Sequence, residues 1–541
     1  MARTPLLRAF QRLSRDHSEA ARLGITAAEV RERHAEAAYS RGEFLKRAGT
    51  AGATIAVAGP AALAGSARAA AGPRIAIVGG GIAGLSAALT LADKGVASTV
   101  YEASNRVGGR MHSDASGYWA GGQTSEFCGE LIDTSHKTIL QLAQRFKLST
   151  VDLLGAEPMG STDTYFFFGS YYPKEQADKD FQRIHQALQR DLQDASYPTT
   201  YKINTPGGIA LDNISVYEWI ESRVPDGHRS PMGQLLDIAY NIEYGAETTV
   251  QSALNLVYLL GFNAKPGNFQ IFGLSNERYH IVGGNEQLPQ VIAATLPDVR
   301  RDWRMNSIFL NRDGTVGLAF DGQPNVTADH VILAMSFAVL RTLDYSRAGF
   351  DDRKKTAITQ LGVGRNTKLQ LQFRDRLWNA AGPWGLSNGG SYADTGYQNT
   401  WDVTRGQDGT TGILVDYSGG DVAGSFTPST PYSNAATNPQ VSTYAKRFLK
   451  QIEPVFPGIS QRWTGKATLS VPLLDPNLLT SYSYWKVGQY HSFSGYEGEP
   501  QGQAKQIHFA GEHCSQDFQG FMEGGASEGV RAANEVLAAL K

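Results

Sequence analysis

The sequence predicts an α/β protein, α+β overall, in which a Rossmann-like nucleotide-binding domain made of discontinuous segments carries an inserted domain of mixed sheet and helix. Three observations predict it: a strand, glycine-rich turn and helix beginning at Ile75, short strands that return from Tyr279, and a closing strand, glycine-rich crossing and helix after Gln506.

The first unit is RIAIVGGGIAGLSAALTLADKGVASTVYEAS, Arg74 to Ser104. Ile75 to Val78 is an unbroken apolar run rich in β-branched residues, the pattern of a strand buried on both faces. Gly79, Gly81 and Gly84 fit G-x-G-x-x-G, which gives a tight turn, room for a pyrophosphate against bare backbone and close helix–strand contact. Ala83 to Leu91 has the small, apolar spacing of a helix lying on the sheet, and its N-terminus offers free N–H donors and the positive end of a dipole. A second strand, Thr99 to Tyr101, ends at Glu102, 18 residues past Gly84, where a carboxylate can hold a ribose hydroxyl pair.

NRVGGRMHSD, Asn105 to Asp114, makes a Gly-Gly turn carrying Arg106 and Arg110. Arginine beside bare backbone suits a second phosphate contact, although an ordinary loop with solvated arginines has the same pattern. Residues 134–270 alternate helical patterns, His136 to Phe146 and Asp180 to Leu192 among them, with one hairpin, Thr164 to Tyr172, turning at Gly169-Ser170. Strands follow at Ser307 to Leu310, Thr315 to Phe320 and Val331 to Met335, then a helix-and-strand block over 351–465 with long polar loops near 386–440. The domains expected are an N-terminal extension over 1–71, the nucleotide-binding domain over 72–135, 275–345 and 466–541, and a substrate domain over 136–274 and 346–465.

Composition limits function. The 541 residues hold 50 basic against 52 acidic side chains without a long basic block, which argues against nucleic acid as a partner. The 59 glycines, 23 phenylalanines and 23 tyrosines suit a loop-rich enzyme with aromatic-lined cavities. Two cysteines, Cys128 and Cys514, exclude a disulfide framework and read as free, partly buried thiols. No metal site is expected, because the 11 histidines form no H-E-x-x-H and His513-Cys514 lacks further ligands at metal spacing.

Ser40 to Lys46, a weakly apolar run from Ala48 to Ala64, and then Ala67-Arg68-Ala69 follow the order of a secretory signal. The segment resembles a twin-arginine leader with Gly42 in place of the second arginine, so the protein is expected to be exported, periplasmic or secreted, if the leader works and cytoplasmic otherwise. A helical or disordered extension is the other reading. Pro60 and several glycines make the run too weak for a membrane span.

Lys368 stands in the alternation Lys-Leu-Gln-Leu-Gln-Phe, where a lysine is ordinarily at the surface or half of an ion pair. Four widely separated motifs change that reading. GGGIAGL at 79–85, then Glu102, Arg106, Gly108, Gly109 and Arg110 as E-x-x-x-R-x-G-G-R, then NTKLQLQF around Lys368, then FAGEH with GFMEGG at 509–525 resemble the flavin-containing amine oxidases. That family includes monoamine, polyamine and L-amino-acid oxidases, and the likeness is greatest to bacterial L-amino-acid oxidases with a twin-arginine-type leader.

The resemblance implies noncovalent FAD, since Ser481 to Gly495 lacks the cysteine that links flavin in mitochondrial monoamine oxidases. It implies that Gly79, Gly81, Ala83 and Gly84 form the phosphate turn, that Glu102 holds the adenosine ribose and that Arg110 meets the phosphates. Gly129 and Glu130 would lie near the flavin, Glu512 would bind its ribityl or phosphate part, and Met522, next to Phe521, would present its backbone N–H to the flavin O2 edge. Lys368 would hold a water against flavin N5. Phe521 and Tyr490, with Trp485 nearby, would flank the substrate nitrogen, and Glu130 could attract a basic group.

The reaction implied is oxidative deamination of an L-amino acid to a 2-oxo acid, ammonia and H2O2, with O2 as the second substrate. Primary amines or polyamines, or a dehydrogenase with another acceptor, are the alternatives. Leu131 stands where L-amino-acid oxidases of the venom type carry a carboxylate-binding arginine, so a substrate carboxylate needs another partner. The sequence leaves the oligomeric state open, a homodimer included.

Overall fold

A five-stranded parallel sheet organises the nucleotide-binding part, in the order Ile507–Phe509, His330–Leu333, Ile75–Val78, Thr99–Tyr101 and Val299–Arg300. The computed structural model describes residues 72–262 and 264–541, so the leader expected within 1–71 lies outside the described residues. Every residue of Ile75–Val78 is buried, as a central parallel strand requires. The helix Ile82–Ala92 follows directly and lies so close to the strand end that a Cβ on Gly84 would sit 2.0 Å from the Gly79 carbonyl oxygen. Met522–Ala539, the last helix, crosses this one, and a Cβ on Gly529 would fall 2.0 Å from the Ala83 carbonyl oxygen.

Beside this sheet lies a four-stranded one in the order Gln323–Ala328, Val316–Phe320, Met305–Leu310 and Asp344–Arg347. An eight-stranded sheet forms the larger layer: Tyr432–Asn434, Trp463–Ser470, Asn366–Phe373, Gly412–Gly419, Asn399–Asp402, Ser387–Ala393, Thr162–Phe167 and Ser170–Tyr171. The hairpin expected from the aromatic run is present in it, with Phe168 and Gly169 at positive φ in the turn. Helices appear at Lys137–Arg145 and Lys174–Ala195, the second longer than its apolar spacing alone indicated. Residues 73–541 make one compact unit, and among the described residues no helix is long and apolar enough to cross a membrane.

Two expectations need correction. The region 386–440 is not mainly long polar loops, since it supplies Ser387–Ala393, Asn399–Asp402 and Gly412–Gly419. Polar side chains there satisfy one another inside the sheet: the Ser391 hydroxyl lies 2.6 Å from that of Thr400 and 2.8 Å from that of Tyr397, and Asn399 Nδ2 donates to the Ser391 carbonyl at 3.1 Å. A strand stabilised in this way has no apolar alternation to read. The boundaries placed at 345/346 and 465/466 also fall inside the strands Asp344–Arg347 and Trp463–Ser470, because cross-strand pairing carries each sheet a few residues past the composition change.

The crossing of the first and last helices has little room to relax. Gly529→Ala is expected to cost about 1–3 kcal/mol, the usual penalty of overpacking. Urea unfolding of the two proteins measures it, and a loss within error of zero rejects the close contact.

Candidate active site

A cavity of about 660 Å³ runs along the C-terminal ends of the parallel strands and over one face of the eight-stranded sheet. Gly79, Gly81, Ala83, Glu102, Arg110, Gly129, Glu130, Lys368, Glu512, Phe521 and Met522 all line it. Ligands of parallel α/β sheets bind at this position because the glycine turn and helix N-terminus open there.

At one end the backbone forms a cradle. Gly108 N donates to the Gly80 carbonyl at 2.9 Å, bringing the second glycine turn against the first. Glu102 is 8% exposed, and its carboxylate is aimed by Gly80 N at 2.7 Å on one oxygen and by the N–H and hydroxyl of Ser104, each at 2.8 Å, on the other. Arg106 Nη1 is buried and has no hydrogen-bond partner among the described residues, with Glu286 only at 3.8 Å. A buried guanidinium N–H with nothing to donate to is costly, and an anionic pyrophosphate in the cradle answers it.

Arg110 Nη1 donates to Glu512 at 2.8 Å and to the Ser481 carbonyl at 2.9 Å. Glu512 also accepts from the Ser483 hydroxyl at 2.8 Å and Gly520 N at 2.9 Å. Burial pushes this carboxyl up, but Arg110 and the N–H donors override it and hold it below its ordinary value of 4.5. Phe521 caps the final helix without a side-chain hydrogen bond, so the first turn, beginning at Met522, brings its positive dipole end to the cavity.

Lys368 lies on Asn366–Phe373, a strand buried along its whole length. Its ammonium donates to Glu130 Oε2 at 2.7 Å and to the Cys128 carbonyl at 2.8 Å. Trp401 Nε1 donates to the other Glu130 oxygen at 2.9 Å. Glu130 is therefore engaged on both oxygens and is not free to attract a substrate cation, which corrects its expected role as a substrate ligand. Burial pushes the Glu130 carboxyl up, and the Lys368 charge more than reverses this.

Cross-strand register extends the wall from Lys368 to Tyr417, Asn399, Tyr392 and Tyr165 on successive neighbouring strands. All five line the cavity. At about 4.8 Å per strand this rung spans about 19 Å.

Three more assignments change. Gly84 does not line the cavity but packs the helix onto its own turn. Tyr490 and Trp485 are 2% and 1% exposed and belong to the core. Tyr490 donates to Asn255 Oδ1 at 2.9 Å, Trp485 Nε1 donates to Glu497 at 3.0 Å, and the two rings pack 4.4 Å apart, so their polar ends are satisfied away from the site.

Aromatic walls come instead from residues that sequence reasoning missed. Trp401 packs on Tyr417 at 5.1 Å, and the Tyr417 hydroxyl lies 2.9 Å from that of Tyr482. Only strand register brings Trp401 and Tyr417 to the site, whereas Tyr482 adjoins Ser481 in sequence. His513 has no metal spacing in the sequence, yet it lines the cavity, both its nitrogens are buried without a partner among the described residues, and burial pushes it down to about 4.

The remaining charges on the wall are mixed, Asp163, Glu243, Glu277 and Asp475 against Lys174, Arg304 and Arg405. Asp163 accepts from Asn388 Nδ2 at 3.2 Å, whereas the carboxyls of Glu243 and Glu277 have no hydrogen-bond or ion-pair partner among the described residues. Burial, reinforced by Asp133, raises Glu277 to about 8, and burial raises Glu243 to about 7. Burial raises the hydroxyls of Tyr392 and Tyr417, and the negative charges of the wall, Asp163 first for Tyr392, add to it.

A nucleotide cradle joined to an aromatic chamber with a buried lysine defines a dinucleotide-dependent redox enzyme. The family model for flavin containing amine oxidoreductases matches residues 82–537, and the chain belongs to that family, with FAD as its cofactor. A probable polyamine oxidase 4 of Arabidopsis thaliana is 26% identical over 85% of this chain and 86% of its own length. An L-amino-acid oxidase of Crotalus adamanteus is 24% identical over 86% of each chain. Among solved structures, cyclohexylamine oxidase from Brevibacterium oxydans aligns with a TM-score of 0.72 at 21% identity, covering 87% of this chain and all of that one, and putrescine oxidase bound to putrescine with 0.70 at 19%, covering 86% and 99%.

The Arg110–Glu512 pair should be visible in stability. Because the folded carboxyl value is depressed, its contribution is complete above the ordinary value of 4.5 and is lost as pH falls through the lower folded value. Glu512→Gln is expected to cost about 3 kcal/mol at pH 7, as for other broken buried pairs. That difference should shrink below pH 4 in denaturant unfolding, and a difference constant from pH 7 to 3 contradicts the pairing.

Proposed function

We propose that the protein is an FAD-dependent oxidase that oxidatively deaminates an amine bearing a second positive charge, a diamine, a polyamine or a basic L-amino acid, with O2 as electron acceptor. The observation that carries this reading is the pair Glu243 and Glu277, two cavity-lining carboxyls with no hydrogen-bond or ion-pair partner among the described residues, Arg405 acting on Glu277 only through its field. Glu130, the acid first expected to serve, is occupied by Lys368.

Bound FAD supplies the two-electron acceptor for oxidation of the carbon–nitrogen bond. The chain's own residues do the rest. Tyr417, Tyr482 and Phe521 enclose the reacting carbon in an apolar space that favours the neutral amine over the ammonium. The N-terminus of Met522–Ala539 stabilises negative charge that gathers on the cofactor. Glu243 and Glu277 anchor the distal cation and so set which carbon meets the cofactor. The Cys128 thiol, raised by burial and in contact with the Tyr432 hydroxyl at 3.9 Å, is kept protonated, which supports noncovalent attachment of FAD.

A second reading, that the substrate is an L-amino acid, is favoured by Arg405. It lines the cavity, donates through Nε to the Asp402 carbonyl at 3.1 Å and through Nη1 to Glu157 at 2.7 Å, and has Nη2 unbonded among the described residues. A substrate carboxylate that has lost the arginine replaced by Leu131 finds a guanidinium here.

Peroxide release from 1,4-diaminobutane, L-lysine, butylamine and L-leucine separates these readings. Dibasic substrates are expected to have the lower KM. Preference for butylamine or L-leucine rejects the acidic subsite, and anaerobic bleaching of the flavin without aerobic peroxide points to a dehydrogenase.

The acids hold a cation only when ionised, so KM for the dibasic substrate should fall as pH rises from 6 to 8.5. Glu277→Gln should flatten that profile and raise KM about tenfold, the size of one charge-assisted hydrogen bond of about 1.5 kcal/mol. An unchanged steady-state KM profile removes Glu277 from the subsite.

A further inference from the structure

We propose that Glu130 is a positioning residue that keeps Lys368 cationic and fixed at the cavity wall, so that a permanent positive charge faces the place where O2 is reduced. The part concerning O2 rests on the oxidase reading above, whereas the dependence of the lysine on Glu130 stands on geometry alone.

The side chains of Lys368 and Glu130 are 8% and 6% exposed. An ammonium so deeply buried sheds its proton unless a carboxylate stands beside it. Glu130 Oε2 and the Cys128 carbonyl take two of its three N–H groups, leaving one for the cavity that Lys368 lines. Trp401 fixes the carboxylate from the other side, and its ring lies 5.3 Å from the ammonium.

The loop bearing Glu130 is itself held. Asn285 Nδ2 donates to the Glu130 carbonyl at 2.7 Å and the Gly129 carbonyl at 3.0 Å. Asn285 N donates in turn to Glu126 at 2.8 Å, and Glu126 is held by His280 at 2.8 Å. Such a relay of largely buried groups is more than a chance surface pair needs, and it ends on a single ammonium.

The titratable groups facing Lys368 are Glu130 and the Cys128 thiol from the loop and Tyr417 from the adjoining strand; His280 lies behind Glu130. Of these only Glu130 is negative at neutral pH, so its removal exposes the lysine to burial without compensation.

Glu130→Gln tests this in two ways. Without its carboxylate the folded lysine binds fewer protons than the unfolded one, so the melting midpoint of FAD-loaded Glu130→Gln should rise by several degrees between pH 7 and 10 relative to wild type. The double variant Glu130→Gln, Lys368→Met should lack that rise. A flat difference overturns the proposal, and so does an equal rise in the double variant.

In stopped-flow mixing of dithionite-reduced protein with O2, Glu130→Gln should reoxidise near the wild-type rate at pH 6 and at least tenfold more slowly at pH 9. Lys368→Met should be equally slow at both. Loss of rate by the same factor at every pH overturns the charge-holding role. If no amine reduces the flavin in any variant, the assignment as an amine oxidase fails, while the melting curves still decide the role of Glu130.

Discussion

The contact on which the rest of the structure depends is the crossing of Ile82–Ala92 and Met522–Ala539 at Ala83 and Gly529. It joins the first organised unit of the chain to its last helix with no side chain between the two backbones. That approach brings the glycine turn at 79–81 and the uncapped N-terminus at Met522 onto the same cavity. One dinucleotide can then meet two helix dipoles, near its phosphates and near its redox ring. A bulkier residue at Gly529 displaces one dipole from the other, so the cofactor cradle and the fold have a common requirement.

Around that cradle, buried charge falls into two kinds. Arg110 with Glu512 and Lys368 with Glu130 are each paired at 2.8 Å or less, and each carboxylate is saturated by further donors. These pairs hold shape, because separating either member leaves a buried charge alone, at a cost of several kcal/mol. Glu243 and Glu277 are of the other kind. They share the same cavity, have no ion-pair partner among the described residues, and are pushed by burial toward neutrality near physiological pH. In the function proposed above, their counterion is the distal cation of the substrate.

Much of this was legible in the residues. Ile75–Val78, the glycine turn and Glu102 follow from strand burial, close approach and hydrogen-bond reach, all local properties of consecutive residues, and the structure places them as expected. The strands Ser387–Ala393 and Asn399–Asp402 were not legible because their hydroxyls and amides pair with one another, which erases apolar alternation. Tyr490 and Trp485 had the right chemistry in the wrong place: nothing local distinguishes an aromatic satisfied by Asn255 or Glu497 in the core from one that faces a cavity. Trp401 and Tyr417 reach the site only through register with strands distant in sequence. Glu130 was found, but its partner Lys368 lies 238 residues away, and the pairing turns an apparent substrate ligand into a support for the lysine.

The rung from Lys368 through Tyr417, Asn399 and Tyr392 to Tyr165 joins these elements. Its positions are set by backbone hydrogen bonds of a buried sheet, which hold spacing far more tightly than a loop does. The lysine stands at one end of the row, and Asp163, two residues before Tyr165 on the same pleated face, stands at the other. In the proposed function the lysine at the end of this row repels an ammonium group of the substrate. On that reading the neutral amine is the form that approaches Lys368, while Glu243 on the helix Pro231–Tyr244 and Glu277 in the loop before Tyr279 hold the charged one.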